Sequence, residues 1–328
     1  MNANKESNAM HMPGTPETEP AVDYRPRLIL WQLTPEDRTQ QMFSTQECLL
    51  TIDGIARVSK PIVVLTPPDV LMRDDLYEIV EYGFALGLKM IIEAKPGELT
   101  DSVIRRYRQF GPRVFRIIVS GSVIGDPDTR YRQSPEYHAL ESAVHRLRAA
   151  GFEIHLGATM TSPDRRELAY YHDFAFRSAA TGLYCHMCFG DGKTKAHEVE
   201  HEHDSLGDFL EAFPRMKRQS PGEMYLSPQC VRYASVNSQE AEAFDLELLS
   251  ERDSHAWLNL CLAGKTFAFI TPEGKVLVCD SMHAEGGDLR QCGYQFRTIW
   301  ELSPVFRQLR DHRWSCCQTR EHLHDDLD

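Results

Sequence analysis

Hydrophobic residues in the first part of the chain follow two alternating patterns. Short apolar runs rich in β-branched residues are typical of buried strands, and they cover residues 28–33, 62–65, 88–93, 114–119, 153–158 and 183–188. Apolar positions at helical spacing predict helices over residues 45–58, 73–87, 100–110, 135–150 and 163–180, with a further helix at 205–219. The sequence therefore predicts repeated strand–helix units.

Residues with capping preferences support these boundaries. Ser134 and Ser162 each precede a proline, the pattern of an N-cap before the first helical residue, and Gly87 and Gly151 follow helices as left-handed stops. Successive right-handed βα units form a parallel sheet with helices outside. Since a closed eight-unit barrel usually takes about 250 residues, we expect an α/β fold built on a partial (βα)6 TIM-like barrel.

The pattern changes after residue 220. Residues 266–270 and 275–279 are predicted as the strands of a β-hairpin, and a last helix follows Ser303 and Pro304. The predicted organisation has three parts: a disordered tail over 1–24, a barrel over 25–222, and a linker with a small α+β C-terminal domain over 223–328.

Composition narrows the expected partners and location. The 328-residue chain has a formal net charge of −12, which argues against nucleic acid or an anionic membrane as a partner. No apolar run approaches the roughly 20 residues of a membrane span, and the N-terminus lacks an apolar signal core. We therefore expect a cytoplasmic protein. In that reducing compartment, clusters among its nine cysteines favour metal or redox roles over disulfides, whereas single cysteines are common core residues.

Three stretches carry a resemblance to a known family. They are KPIVVLTPPDVLMRDDLYEIVEYGFALGLKMII, FRIIVSGSVIGDPDTRYRQSPEYHALESAVHRLRAAGFEIHLGATMT, and the spaced residues Cys261, Ala263, Gly264, Pro272, Gly274 and Cys279. In this order, over roughly residues 25–317, they resemble a radical S-adenosylmethionine (AdoMet) protein with a C-terminal SPASM or twitch extension. The resemblance implies a partial barrel and places an AdoMet pocket near Asp69 and Ser120.

The chain departs from the family where that family binds AdoMet. Pro67 and Pro68 stand where the resemblance implies two glycines, and Asp69 stands in place of a glutamate. Proline has no N–H to donate and cannot adopt a positive φ. We therefore expect this corner not to bind AdoMet.

A second departure concerns the family's three-cysteine motif, which holds an iron–sulfur cluster after the first strand. The corresponding positions are Asp37, Gln41 and Ser44, and Cys48 lies inside the next predicted helix. Because such a cluster needs several thiolates, the radical SAM cluster is not expected here. The resemblance then implies a degenerate scaffold.

Other cysteines form two candidate metal sites. The first is an auxiliary [4Fe-4S] cluster on Cys261, Cys279, Cys316 and Cys317. The second is a zinc-like set with ligands Cys185, Cys188, His197 and His201. In the alternative interpretation, the first set packs as small apolar residues, and the second is a strand followed by an acidic, histidine-rich surface loop.

Two functions follow from these observations. The first is a non-catalytic radical SAM/SPASM-like protein, a pseudoenzyme that binds a peptide or protein substrate, or an active radical SAM partner, in a maturation or cofactor-biosynthesis pathway. The alternative is an iron–sulfur or zinc-binding redox protein or metalloenzyme. The first interpretation favours a protein without enzymatic activity.

Overall fold

The structure is a computed structural model. It describes residues 24–37, 39, 41–110, 114–120, 135–160, 165–187, 223–227, 263–279 and 284–311.

Strands and helices alternate through the first part of the described chain. The strands are β1 Leu28–Gln32, β2 Ile62–Thr66, β3 Lys89–Ala94, β4 Val114–Ser120, β5 Glu153–Met160, β6 Gly182–Met187 and β7 Glu223–Ser227. The helices are α1 Thr45–Ala56, α2 Leu76–Ala85, α3 Asp101–Phe110, α4 Pro135–Ala149 and α5 Arg165–Arg177. Single 3-10 turns, Val70–Met72 and Pro96–Glu98, follow β2 and β3.

The C-terminal region adds three strands and two helices. They are β8 Phe267–Ile270, β9 Lys275–Leu277, β10 Glu285–Asp288, α6 Phe296–Leu302 and α7 Pro304–Asp311. All ten strands form one sheet in the order β10-β9-β8-β1-β2-β3-β4-β5-β6-β7. From β8 to β7 neighbouring strands are parallel, whereas β9 and β10 are antiparallel additions. Among the described residues the sheet is open, with β10 and β7 at its edges.

The first strands are buried on both faces. Val63, Val64 and Leu65 are successive residues of β2, so they point alternately to the two faces, and all three have no exposed surface. This two-sided burial explains why the parallel strands are continuous apolar runs in the sequence. Met90 of β3 faces α2, where Gly83 leaves room for its sulfur atom.

Local chemistry fixes the start of α1. The Ser44 hydroxyl accepts a hydrogen bond from the Glu47 N–H at 3.4 Å, and the Glu47 carboxylate accepts one from the Ser44 N–H at 2.8 Å. This reciprocal capping box satisfies N–H groups that an α-helix otherwise leaves without partners at its start.

The structure confirms the predicted α/β class with a parallel sheet, and the six predicted strands match β1 to β6 within two residues at each end. The predicted hairpin is formed by β8 and β9. Two strands were not predicted, β7 beside β6 and β10 beside β9, and neither was the pairing of β8 with β1. The helix predicted at 205–219 lies outside the described residues. The division of the chain at residue 222 stays a prediction.

The last residue of the predicted tail contacts the C-terminal helices. The Trp300 indole N–H donates to the carbonyl of Tyr24 at 2.9 Å, and the Arg310 guanidinium lies 4.5 Å from the Trp300 ring centre. Tyr24 is the last residue of the predicted tail, and the rest of that tail lies outside the described residues. Within the part of the chain that the structure describes, no helix combines the length and apolarity that crossing a bilayer requires.

Candidate functional site

Two loops meet at the carboxyl ends of β1 and β2. Residues 33–44 connect β1 to α1, and residues 67–75 connect β2 to α2. The strands are parallel neighbours, with Gln32 paired to Thr66, so both loops leave the sheet at the same edge. Ligands of parallel α/β proteins bind at this edge, which makes the two loops the candidate site.

The loop after β2 turns sharply at Pro67, Pro68 and Asp69. Asp69 adopts a left-handed backbone conformation with φ 49°, which aspartate tolerates better than most residues. The Thr34 hydroxyl donates a hydrogen bond to the carbonyl of Pro68 and so joins the two loops. The two prolines bring no N–H group to this corner, the Asp69 side chain is half-buried, and the Pro68 carbonyl accepts from Thr34.

Arg73 closes the first loop from the side of β2. Its guanidinium donates to the carbonyls of Leu33 at 3.2 Å and Phe43 at 3.1 Å, which are the two ends of that loop. The same group forms a double ion pair with Asp75, with nitrogen–oxygen distances of 2.9 and 2.7 Å. Burial opposes the ionisation of Asp75, but hydrogen bonds from Arg73 and Thr45 hold its pKa below the usual value.

Arg290 holds the same loop from the C-terminal side. Its Nε atom lies 2.7 Å from Oε1 of Glu47, and an Nη atom donates to the carbonyl of Met42 at 3.3 Å. The Tyr294 hydroxyl also donates to Oε1 of Glu47, at 2.7 Å. The hydrogen bond from Arg290 is the largest of the effects that lower the pKa of Glu47 to about 2, and bonds from Ser44 and Tyr294 add to it against opposing burial.

The low pKa of Glu47 gives a pH-dependent prediction. Its folded pKa is about 2 against an ordinary 4.5, so the stability that its charge contributes is complete at neutral pH and is lost as the pH falls from 4.5 towards 2. We expect E47Q to lower the free energy of unfolding by about 1–2 kcal/mol at neutral pH, with the difference shrinking in acid. Urea unfolding of both proteins across this range measures it, and a difference independent of pH would contradict the role of the charge.

The site does not fit a cluster held by three thiolates after β1. Asp37, Gln41 and Ser44 are exposed oxygen-bearing side chains rather than thiols. Cys48 is fully buried in α1, where burial raises the pKa of its thiol to about 12. A single thiol enclosed inside a helix cannot take the place of three thiolates in the loop. No reaction step is therefore assigned to a cluster at this loop.

Polar residues are neighbours in register on β1 and β2, and a row of three crosses β3, β4 and β5. The strand register pairs Gln32 with Thr66, and it pairs Glu93 with Arg116 and Arg116 with His155. Side chains along a strand point alternately to its two faces, and Glu93 is three positions after Met90. Glu93 therefore lies on the face of β3 away from α2. His155 is fully buried, and its Nε2 atom lies 3.1 Å from Oε1 of Glu153. Neither this row nor the two arginines was predicted, since each is a single charge or polar residue with no recognisable spacing.

The predicted metal-site residues are only partly described. Cys279 is buried just after β9, and Cys185 is in β6. The other predicted ligands lie outside the described residues: Cys188, His197, His201, Cys261, Cys316 and Cys317. Among the residues that are described, no three cysteine, histidine or acidic side chains group as a metal site. Both metal sites stay predictions, as do Asp69 and Ser120, the last residue of β4, as AdoMet contacts.

Known proteins resemble the chain along most of its length. An AdoMet-dependent heme synthase of Methanosarcina barkeri is 25% identical over 310 residues, which are 89% of this chain and 86% of that enzyme. The chain is similar to AdoMet-dependent heme synthases. It is also 24% identical to the mycofactocin maturase MftC of Mycobacterium tuberculosis over 279 residues, 82% of this chain and 65% of MftC. No family model matches the sequence.

A solved structure supports the fold. Streptococcus suis SuiB, crystallised with its precursor peptide SuiA, superposes with a TM-score of 0.56 at 11% identity. The match covers 88% of this chain and 67% of SuiB. At this identity the likeness concerns the fold alone, which is a mixed α/β fold with a parallel sheet of the partial-barrel type.

The similarity to heme synthases corrects three expectations. The prediction of a non-catalytic pseudoenzyme and the leaning towards no enzymatic activity are wrong, because the relatives that match most of the chain are named as enzymes. The expectation that AdoMet does not bind has no support either, since the heme synthases are named as AdoMet-dependent. The absence of the three-cysteine motif excludes one way of binding an iron–sulfur cluster. The similarity to heme synthases, in contrast, extends over most of the chain.

Proposed function

We propose that this chain is an enzyme that binds AdoMet at the carboxyl edge of its sheet and acts on a tetrapyrrole in heme synthesis. The observation that carries the proposal is the similarity to a heme synthase over 89% of the chain. Similarity of that extent covers both the sheet and the C-terminal region, so it favours a shared activity over one shared module. The edge with loops 33–44 and 67–75 is where the parallel sheet presents its binding groups.

AdoMet carries an ammonium, a sulfonium and a carboxylate, and the site offers a complementary charge. Asp69 is half-buried at the tip of β2, where its carboxylate would accept the ammonium group. Ser120 ends β4 at the same edge of the sheet and stays a proposed second contact. When bound, AdoMet would supply a reactive sulfonium centre. The chain's own residues would orient it through side chains, because the two prolines offer no N–H.

Binding of AdoMet to D69N and D74N variants tests the site. Asparagine tolerates the left-handed backbone of Asp69, so D69N removes the charge while keeping the turn. We expect titration calorimetry to show an affinity about tenfold weaker for D69N, which is the loss of one charge-assisted contact. Asp74 is the matched control, because its side chain is fully exposed and its only described ion pair is a 3.6 Å contact with Arg106. Equal affinities for both variants would exclude Asp69 as a contact.

A turnover assay tests the activity itself. Anaerobically purified protein is incubated with AdoMet, a reductant and an iron tetrapyrrole precursor of heme, and heme formation and AdoMet consumption are followed by mass spectrometry. AdoMet-dependent heme formation supports the proposal. Absence of AdoMet binding together with absence of product would refute it.

A peptide is the second candidate substrate, because the chain is also similar to a mycofactocin maturase over 82% of its length. Consumption of AdoMet with a precursor peptide, and not with the tetrapyrrole, would favour this candidate.

The cysteine-based metal sites and the SPASM/twitch-like character of residues 223–328 are kept as proposals. Iron and sulfide in the same anaerobic preparation would support the auxiliary cluster on Cys261, Cys279, Cys316 and Cys317. Zinc would support the set formed by Cys185, Cys188, His197 and His201. A preparation containing neither metal would exclude both.

A further inference from the structure

The loop that follows β1 is held by contacts from two different parts of the chain. Arg73 binds the carbonyls at its two ends from the β2 side, and Arg290 binds the Met42 carbonyl from the C-terminal strands. Adjacent carbonyls of the loop, those of Met42 and Phe43, are thus bound by guanidinium groups approaching from opposite sides. The residues between these anchors include Glu36 and Asp37, which are exposed at the carboxyl edge of the sheet.

Arg290 is built into its position. It follows β10, and its own N–H donates to the Asp288 carboxylate at 2.8 Å. The guanidinium also donates to the carbonyl of Glu273 in the turn between β8 and β9, and it lies 4.7 Å from the centre of the Phe43 ring. Its side chain is 23% exposed and every part of its fork has a contact in the structure. Such a fork is a rigid connector between two backbone segments.

Close backbone packing reinforces the same contact. Phe43 meets the Tyr294 ring edge-on at 6.0 Å between centres, and its ring occupies the space in which Gly274 lacks a side chain. On the next turns of α1, Gly54 allows the Tyr294 carbonyl to approach the helix more closely than a Cβ would permit. Phe43, Glu47 and Gly54 therefore place the loop end and α1 against residues 273–274 and 290–296.

We propose that Arg290 is a positioning residue, through which the C-terminal strands fix the loop after β1 in its ligand-binding shape. The contacts of Arg290 with Met42, Glu47 and Glu273 are called the clamp. The effect of the clamp on AdoMet binding rests on the proposed function, whereas the clamp itself does not. A site works only when its contact groups are held within a fraction of an ångström, and loops achieve this through supporting contacts. The C-terminal region then controls ligand affinity without touching the ligand.

The test compares R290A, R290K and E47Q with the control K275A. Lys275 forms an exposed ion pair with Glu285 at 2.6 Å in the same strands but has no described contact with the loop. Hydrogen exchange of the amides in residues 34–43 measures the clamp, and titration calorimetry with AdoMet measures its consequence. R290K keeps the charge but loses the fork, so it remains informative if R290A does not fold.

We expect R290A to speed amide exchange in the loop and to weaken AdoMet binding, each by about tenfold or more. R290K and E47Q should show smaller changes in the same direction, and K275A none. Loop exchange at the wild-type rate in R290A would overturn the clamp. If the wild-type protein binds no AdoMet, the proposed function fails, and the exchange measurement still decides whether Arg290 holds the loop.

Discussion

Replacing Arg73 with alanine is expected to lower the free energy of unfolding by about 3–5 kcal/mol, the usual cost of breaking a buried ion pair. Only 7% of Arg73 is exposed, and its removal takes the donor from two loop carbonyls and leaves the Asp75 carboxylate with its hydrogen bond from Thr45 but without its ion pair. Because a buried group without a hydrogen-bond partner is costly, the loss exceeds that of one ion pair at the surface. Urea unfolding monitored by circular dichroism measures the difference.

The exposed Arg57 provides the control. It pairs with Asp53 one helical turn away in α1, and its side chain is 76% exposed. Solvent screens such pairs, so R57A should cost below about 1 kcal/mol. Equal losses for R73A and R57A would contradict the role of Arg73 as a buried connector between the loop ends.

The second large effect is expected for G274A, with a loss of about 3 kcal/mol in the free energy of unfolding. Gly274 has φ +99°, a backbone conformation that disfavours a side chain, and a Cβ there would lie 2.5 Å from the buried Phe43 ring. The ring cannot retreat freely, because it also packs edge-on against Trp31 at 6.1 Å between ring centres. Thermal and urea unfolding of the purified variant measure the loss.

The G151A variant separates the cost of a positive φ from the cost of the contact with Phe43. Gly151 also has a positive φ, +84°, but among the described residues, its chain neighbours aside, no atom lies within 4 Å of the position that its Cβ would take. G151A should therefore lower the free energy of unfolding only by the cost of placing a side chain at a positive φ, about 1–2 kcal/mol. If G274A costs no more than G151A, the contact with Phe43 contributes nothing to the docking of the loop.

The fold was predictable where the information is local. Strands β1 to β6 are short apolar runs with clear stops, so their positions follow from the sequence alone. The pairing of β8 with β1 did not follow, because it joins segments from opposite ends of the chain. Strand β10, with the sequence Glu-Gly-Gly-Asp, has no strand preference of its own and is extended because β9 supplies its hydrogen bonds.

The site was less predictable than the fold. The Asp69 corner could be located because it follows a strand end, and its unusual prolines are visible in the sequence. Arg73 and Arg290 resemble ordinary surface charges in the sequence, and their roles arise from backbone carbonyls brought near them by tertiary packing. The absence of three cysteines does not predict the loss of activity, because it concerns one ligand set while the similarity to enzymes extends over most of the chain.

The parallel pairing of β8 with β1 has a consequence for biosynthesis. β1 emerges from the ribosome long before residues 267–270, which form the strand that covers one of its sides. During that interval the nascent chain presents an uncovered apolar strand edge, the kind of edge that recruits other chains into aggregates. Premature termination would leave this edge permanently exposed, so we expect incomplete chains to depend on chaperones or to be degraded.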